Sequence, residues 1–140
     1  MQLYRRFHAN ITGAAAIEFA IVAPIFLLIV LTMIAYGIYL SAAHAVQQLT
    51  ADAARTAVAG LTSQERTQLV NDFISRSTID HPLLDRSKLQ VSVTTDPANA
   101  NQFTVSTTYD ASNLPIWNLY TFPLPDHVIR RFATIRMGGI

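Results

Sequence analysis

Three hydrophobic rhythms follow one another along this chain. Residues 19–40 read FAIVAPIFLLIVLTMIAYGIYL and carry no charged side chain. At about 22 residues, this run is long enough to cross roughly 30 Å of hydrocarbon as a helix with some tilt. Over residues 41–59 the apolar positions Val46, Leu49, Ala53 and Ala57 recur at spacings of three and four. Gln47, Gln48, Asp52, Arg55 and Thr56 take the other faces. The stretch contains no proline or glycine and is rich in alanine, the best helix former. One continuous helix is therefore expected over residues 14–59, roughly 70 Å long at 1.5 Å per residue, with Gly60 as its stop. The small-residue stripe suits packing on the chain's own outer domain; packing on another subunit is the alternative.

The third rhythm belongs to a small domain. Thr62-Ser63-Gln64-Glu65 has the form of a capping box, in which threonine accepts from the N3 backbone N–H and glutamate reaches back. Leu69, Val70, Phe73 and Ile74 follow at helical spacing, predicting a second helix over Ser63–Arg76 that ends before the turn Asp80-His81-Pro82. Leu89, Val91 and Val93 alternate with Gln90, Ser92 and Thr94; Phe103, Val105, Thr107 and Tyr109 alternate again. With residues 96–101 as a loop, these runs form an antiparallel hairpin. Residues 114–125 hold three prolines and read as an irregular or briefly helical crossover, and residues 128–137 supply a third strand. Three strands need a second layer to be stable, which the two helices provide. The fold class is α+β: a long N-terminal transmembrane helix continuing into a small outer domain with a second helix and a roughly three-stranded antiparallel sheet. The organisation is then a leader over 1–13, the long helix over 14–60 with its span at 19–40, and an α+β domain over 61–140.

Composition narrows the function. In 140 residues there is room for one span and one small domain, and the mean hydropathy of +0.28 reflects that single span. A net charge of +1 provides no electrostatic footprint for nucleic acid. The absence of cysteine excludes a disulfide scaffold and a Cys-ligated metal. His8, His44, His81 and His127 are scattered, with no i, i+4 pair, and there is no phosphate-binding glycine loop and no G-x-S-x-G. Asp52, Asp72, Asp80 and Asp85 read as caps and solvated charges. No enzymatic activity, cofactor or metal is expected. Trp117, Tyr120 and Phe122 read as cover for the open side of a small core, with a recognition patch as the alternative. Arg130, Arg131 and Arg136 read as a solvated strand face or, alternatively, as a contact for an acidic neighbour.

The span carries its own signals. Arg5 and Arg6 precede it, and no further Lys or Arg occurs until Arg55, so the positive-inside rule places the N-terminus in the cytoplasm and the domain outside. Tyr36 and Tyr39 suit the far interface. Pro24 frees a backbone carbonyl inside the helix, giving a mild kink or a point where the helix can bend on leaving the bilayer. Ala43-His44-Ala45 imitates a signal-peptidase site, but the apolar run exceeds the ~7–15 residues of a secretory core. Glu18 stands at the mouth of the run. An ionised carboxylate is costly in hydrocarbon, which makes Glu18 a functional candidate.

Gly13-Ala14-Ala15-Ala16-Ile17-Glu18-Phe19-Ala20, followed by Pro24, the unbroken apolar run, Gly37 and Ala53-Ala54-Arg55, resembles the TadE-like family over about a third of the chain. These are pilin-like membrane proteins of the tight-adherence (Flp-type) branch of type IV pilus and type II secretion machinery. The resemblance implies a prepilin peptidase cutting between Gly13 and Ala14, and a role for Glu18, beside Phe19, in assembly and axial register. In pilins generally the partner of that glutamate is thought to be a neighbour's new N-terminal amine. The implied function is a minor pilin or pseudopilin that primes, caps or stabilises a pilus. Its partners would be the peptidase, other pilins or pseudopilins, an inner-membrane assembly platform and membrane lipid. The implied location is the bacterial inner membrane, single pass, with the C-terminal domain periplasmic. A bitopic anchor whose outer domain binds a partner, and a secreted domain released after Ala45, are the alternatives.

Overall fold

The computed structural model describes residues 11–77, 82–119 and 124–138. Its elements are helix α1 (Ile11–Ala57), helix α2 (Ser63–Arg76), a 3-10 turn (Arg86–Lys88) and strands β1 (Leu89–Asp96), β2 (Asn99–Asp110) and β3 (Val128–Arg136). The chain divides into two compact units, one ending at Gly37 and the other beginning at Ile38.

The first unit is helical throughout its described residues. Ile17, Phe19, Ile21, Val22, Ile25, Phe26 and Met33 are exposed. Among the described residues α1 is the one helix long and apolar enough to cross a membrane, and none of its most apolar window is buried. So many uncovered large apolar side chains would be untenable in water and are ordinary in lipid. The helix runs through Pro24 without interruption. Arg5 and Arg6 of the leader lie outside the described residues, as do Asp80, His81, Tyr120 and Phe122.

The second unit is a helix layer on an antiparallel sheet of order β1-β2-β3. Val46, Leu49, Ala53 and Ala57 are all buried, as the three-and-four spacing requires, together with Ala42, Ala43 and Ala54. Ala53, Ala54 and Ala57 share a core with Val70 of α2 and Phe103 and Val105 of β2. Alanine at these positions contributes little bulk, so the volume of the core comes from Val70, Phe73 and Ile74 of α2 and from the strand side chains. Thr50, fully buried on the same face, returns its hydroxyl to the Val46 carbonyl at 2.7 Å. The strand register sets Val93 against Val105 and Val105 against Ala133, and every second residue of β2 from Phe103 to Tyr109 is buried.

The hairpin is tighter than expected. Asn99 to Asn101, read as loop from their turn chemistry, belong to β2, which leaves only Pro97 and Ala98 between the strands. The Asp96 carboxylate accepts from the Ala98 N–H at 2.8 Å and the Asn99 amide oxygen from the Asn101 N–H at 3.0 Å. A register shift between Thr95 and Asp96 absorbs the mismatch. Gly60 also differs in its reason. It lacks a positive φ, and the last turn simply tightens, Gly60 N–H donating to the Ala57 carbonyl at 3.1 Å. A Cβ on Gly60 would lie 2.8 Å from the Arg66 backbone nitrogen, so close approach of α2 is what requires glycine.

The crossover is irregular in its described part. Ala111, Leu114 and Ile116 are buried. Trp117 donates from Nε1 to the Ala111 carbonyl at 2.7 Å and stacks on His127, with centroids 3.9 Å apart. Trp117 is half-buried by these contacts, while Tyr120 and Phe122 of the aromatic cluster lie outside the described residues.

Candidate assembly site at the head of the apolar helix

Gly13, Ala14, Glu18, Phe19 and Pro24 all lie on α1, and all are exposed. Ala14 and Glu18 are four residues apart, which in an α-helix puts them on one face about 6 Å apart along the axis. Helical side chains lean toward the N-terminus, so the Glu18 carboxylate leans toward the turn that holds Ala14. Among the described residues nothing forms an ion pair or hydrogen bond with Glu18. Phe19 points into open space with 73% of its surface exposed.

Gly13 is unexplained by the fold. A Cβ there would meet no atom within 4 Å. Glycine inside a helix is about 0.8–1 kcal/mol less favourable than alanine, so local stability alone would select another residue. The same openness holds at Gly37.

Four carboxylates of the second unit have partners within the chain. Asp52 pairs with Arg55 at 2.8 Å and Asp72 with Arg76 at 3.7 Å, both exposed pairs of small energetic weight. Asp85 caps the 3-10 turn: the Ser87 hydroxyl and then its N–H hold its carboxyl below the ordinary value of 3.8. The Ser112 N–H and then its hydroxyl do the same for Asp110. No group of three His, Cys, Asp or Glu that could hold a metal occurs among the described residues. Of the basic cluster, Arg130 and Arg136 are exposed and Arg131 is half-buried.

One structural residue escaped sequence reasoning. Arg66 is only 4% exposed, its Nε donating to the Gly60 carbonyl at 3.1 Å and its guanidinium 4.8 Å over the Phe103 ring. It sits one turn before Val70, on the apolar face of α2, and that position was the available signal.

The site is an exposed apolar helix headed by a glycine and by a glutamate that has no partner among the described residues. Residues 13–55 match the family model of TadE-like proteins. The TadE-like segment begins at Gly13 and ends at Arg55, near the end of α1, so it coincides with the helix and stops short of α2 and the sheet. No curated protein and no solved structure matches the chain.

Proposed function

We propose that this chain is a minor pilin or pseudopilin of a tight-adherence (Flp-type IV) pilus, acting to prime, cap or stabilise the assembly. The observation that carries the reading is the TadE-like match over a helix whose head contains two residues without a role in the fold, Gly13 and Glu18. Residues that the folded chain does not use are residues that something outside the chain can select. Glycine at position 13 suits a peptidase subsite that admits no side chain. Glu18 suits a carboxylate awaiting a cation.

In this reading a prepilin peptidase hydrolyses the bond between Gly13 and Ala14, which removes Arg5 and Arg6 with the leader. Before cleavage those arginines hold the N-terminus on the cytoplasmic face, because moving them through hydrocarbon is costly. After cleavage Ala14 bears a free ammonium group. When spans pack together, a buried carboxylate left unpaired is penalised by about 3–5 kcal/mol, and an ammonium group of a neighbouring copy relieves it. Only one axial offset between neighbours brings the two together, so the pair selects register. The second unit is then held on the periplasmic side of the inner membrane, on the helix that enters the bundle.

The test is Glu18→Gln. The neutral amide should insert no less readily than the acid. The protein is expected at wild-type level in the inner membrane while pilus production falls. Normal piliation, in a strain without a redundant paralogue, would remove the assembly role of Glu18. N-terminal mass analysis separates the alternatives: a start at Ala14 fits the pilin reading, and an intact Met1 fits a bitopic anchor.

A further inference from the structure

The second unit begins inside the apolar run. Ile38 to Leu40, the last residues of that run, belong to it, and Leu40 is 51% exposed. No linker follows, because Ala42 and Ala43 are already buried. The headgroup layer of a bilayer extends roughly 5–8 Å beyond the hydrocarbon. Four helical residues past Leu40 rise about 6 Å. Whatever part of the unit covers Ala42 and Ala43 therefore lies at headgroup depth.

The direction of the strands identifies that part. Ala57 shares a core with Phe103, near the start of β2. From Ala57 back to Leu40 the helix descends roughly 26 Å. From Phe103 to Ala111 the strand advances by roughly 26 Å as well. The ladder continues that far, since the Ala111 N–H donates to the His127 carbonyl at 2.7 Å. Tyr109, Ala111, Leu114, Ile116 and Ile129 are buried, and none belongs to the Ala53–Ala57 cluster. They occupy the opposite end of the sheet, level with the Ala42 turn, and the crossover after Ala111 carries on from there.

The chemistry of the crossover suits this depth. Residues 111–119 read ASNLPIWNL and contain no charged side chain. Pro115 and Leu119 are exposed, and Trp117 is half-buried. The Trp117 Nε1 already donates to the Ala111 carbonyl, so the indole can enter a less polar medium with its one polar group satisfied. The basic groups at this end of the sheet have partners within the chain. Lys88 donates to the Ser112 hydroxyl at 2.9 Å, and Arg86 donates to the Ser75 and Ser77 carbonyls. Uncharged aromatic and apolar side chains belong to the interfacial belt of a bilayer and do not select anionic headgroups.

We propose that the crossover seats the second unit on the bilayer, with Trp117 and Leu119 in the headgroup layer of the leaflet from which α1 emerges. The contact rests on α1 being a membrane span, which the pilin and anchor readings share, and not on cleavage at Gly13 or on pairing of Glu18. For a subunit that leaves the bilayer, it is a contact that extraction must break.

Trp117 is the single tryptophan of the chain, so its fluorescence reports the contact without background. The full-length protein is reconstituted at low density in phosphatidylcholine vesicles whose acyl chains are brominated close to the headgroup, or unbrominated. Bromine quenches only at close range, so Trp117 emission should fall about twofold in the brominated vesicles, independently of salt. A chain carrying Trp117→Phe and Leu61→Trp has its indole beyond Gly60, at the other end of the unit, where position 61 is 87% exposed, and should be unquenched. Leu119→Asp, at an exposed position, should weaken the quenching of Trp117 while circular dichroism and the unfolding midpoint stay at wild-type values. Three results would overturn the proposal: quenching of Trp117 no greater than in the Leu61→Trp chain, quenching indifferent to Leu119→Asp, or an indole shielded from both brominated lipid and aqueous iodide, as a covering protein copy would leave it. Alkaline carbonate extraction of the same vesicles keeps the readings apart. Retained protein with unquenched Trp117 removes the seating alone, and released protein removes the span with it.

Discussion

Substituting Gly60 by alanine adds one methyl group at the tightest corner of the second unit. The new Cβ would sit 2.8 Å from both Cγ and the backbone nitrogen of Arg66, and 3.1 Å from its Cα. A side-chain rotation can relieve the first contact but not the other two. The Arg66 N–H is committed to the Thr62 carbonyl at 3.0 Å, the first hydrogen bond of α2. The Arg66 side chain is committed too, to the Gly60 carbonyl and the Phe103 ring. The methyl must therefore push α2 away from the end of α1. Overpacking of this kind costs about 1–3 kcal/mol. Restriction of the unfolded chain offsets about 0.4–1 kcal/mol, because Gly60 has no positive φ that alanine would refuse. The net expectation is a loss of about 1–2 kcal/mol. For a unit of about 100 residues that corresponds to a fall in Tm of roughly 5–15 °C. Thermal unfolding in detergent micelles, followed by the fluorescence of Trp117, the chain's single tryptophan, reads this directly. Gly37→Ala is the control, since a Cβ there meets nothing within 4 Å. An unchanged midpoint for Gly60→Ala, or an equal fall for Gly37→Ala, would refute the close-approach argument.

Gly13→Leu should give a larger, membrane-retained precursor and no functional assembly; since position 13 faces open space and leucine is the better helix former, misfolding cannot account for such a result, and unchanged N-terminal processing would show that glycine is not required there. An alkaline phosphatase fusion after the last residue should be active, and an inactive one alongside a working cytoplasmic reporter would reverse the topology. Asp85 and Asp110 have folded pKa values lowered from 3.8, so their contribution to stability is complete above that value and is lost as pH falls through the lower folded values. Urea midpoints of the second unit should therefore fall below about pH 4, and the Asp85→Asn, Asp110→Asn double variant should lose part of that fall; an identical acid profile would contradict the assignment.

The parts of this protein legible in its residues are those governed by interactions within a turn or two of the chain. Helix formation, the Thr62–Glu65 cap and the strand alternation of β2 depend on neighbours three, four or two positions away, and each was recoverable from spacing. The Glu18 site was legible for the opposite reason. Its chemistry stands out because the fold does nothing with it. The hairpin is an intermediate case: Asn99 and Asn101 have loop chemistry, and only pairing across a bulge turns them into strand. What tertiary structure alone decided are the relations between distant segments. Arg66 is buried because Gly60 lets α2 close over Phe103, a residue more than thirty positions further along the chain. Trp117 is half-buried because its indole finds the Ala111 carbonyl and the His127 ring. Phe132 stays outside because its strand register, set by Ala133 and Ile135 packing on the core, turns it to the other face. A two-residue period fixes which strand residues share a face, but which face is inward depends on where the helices lie.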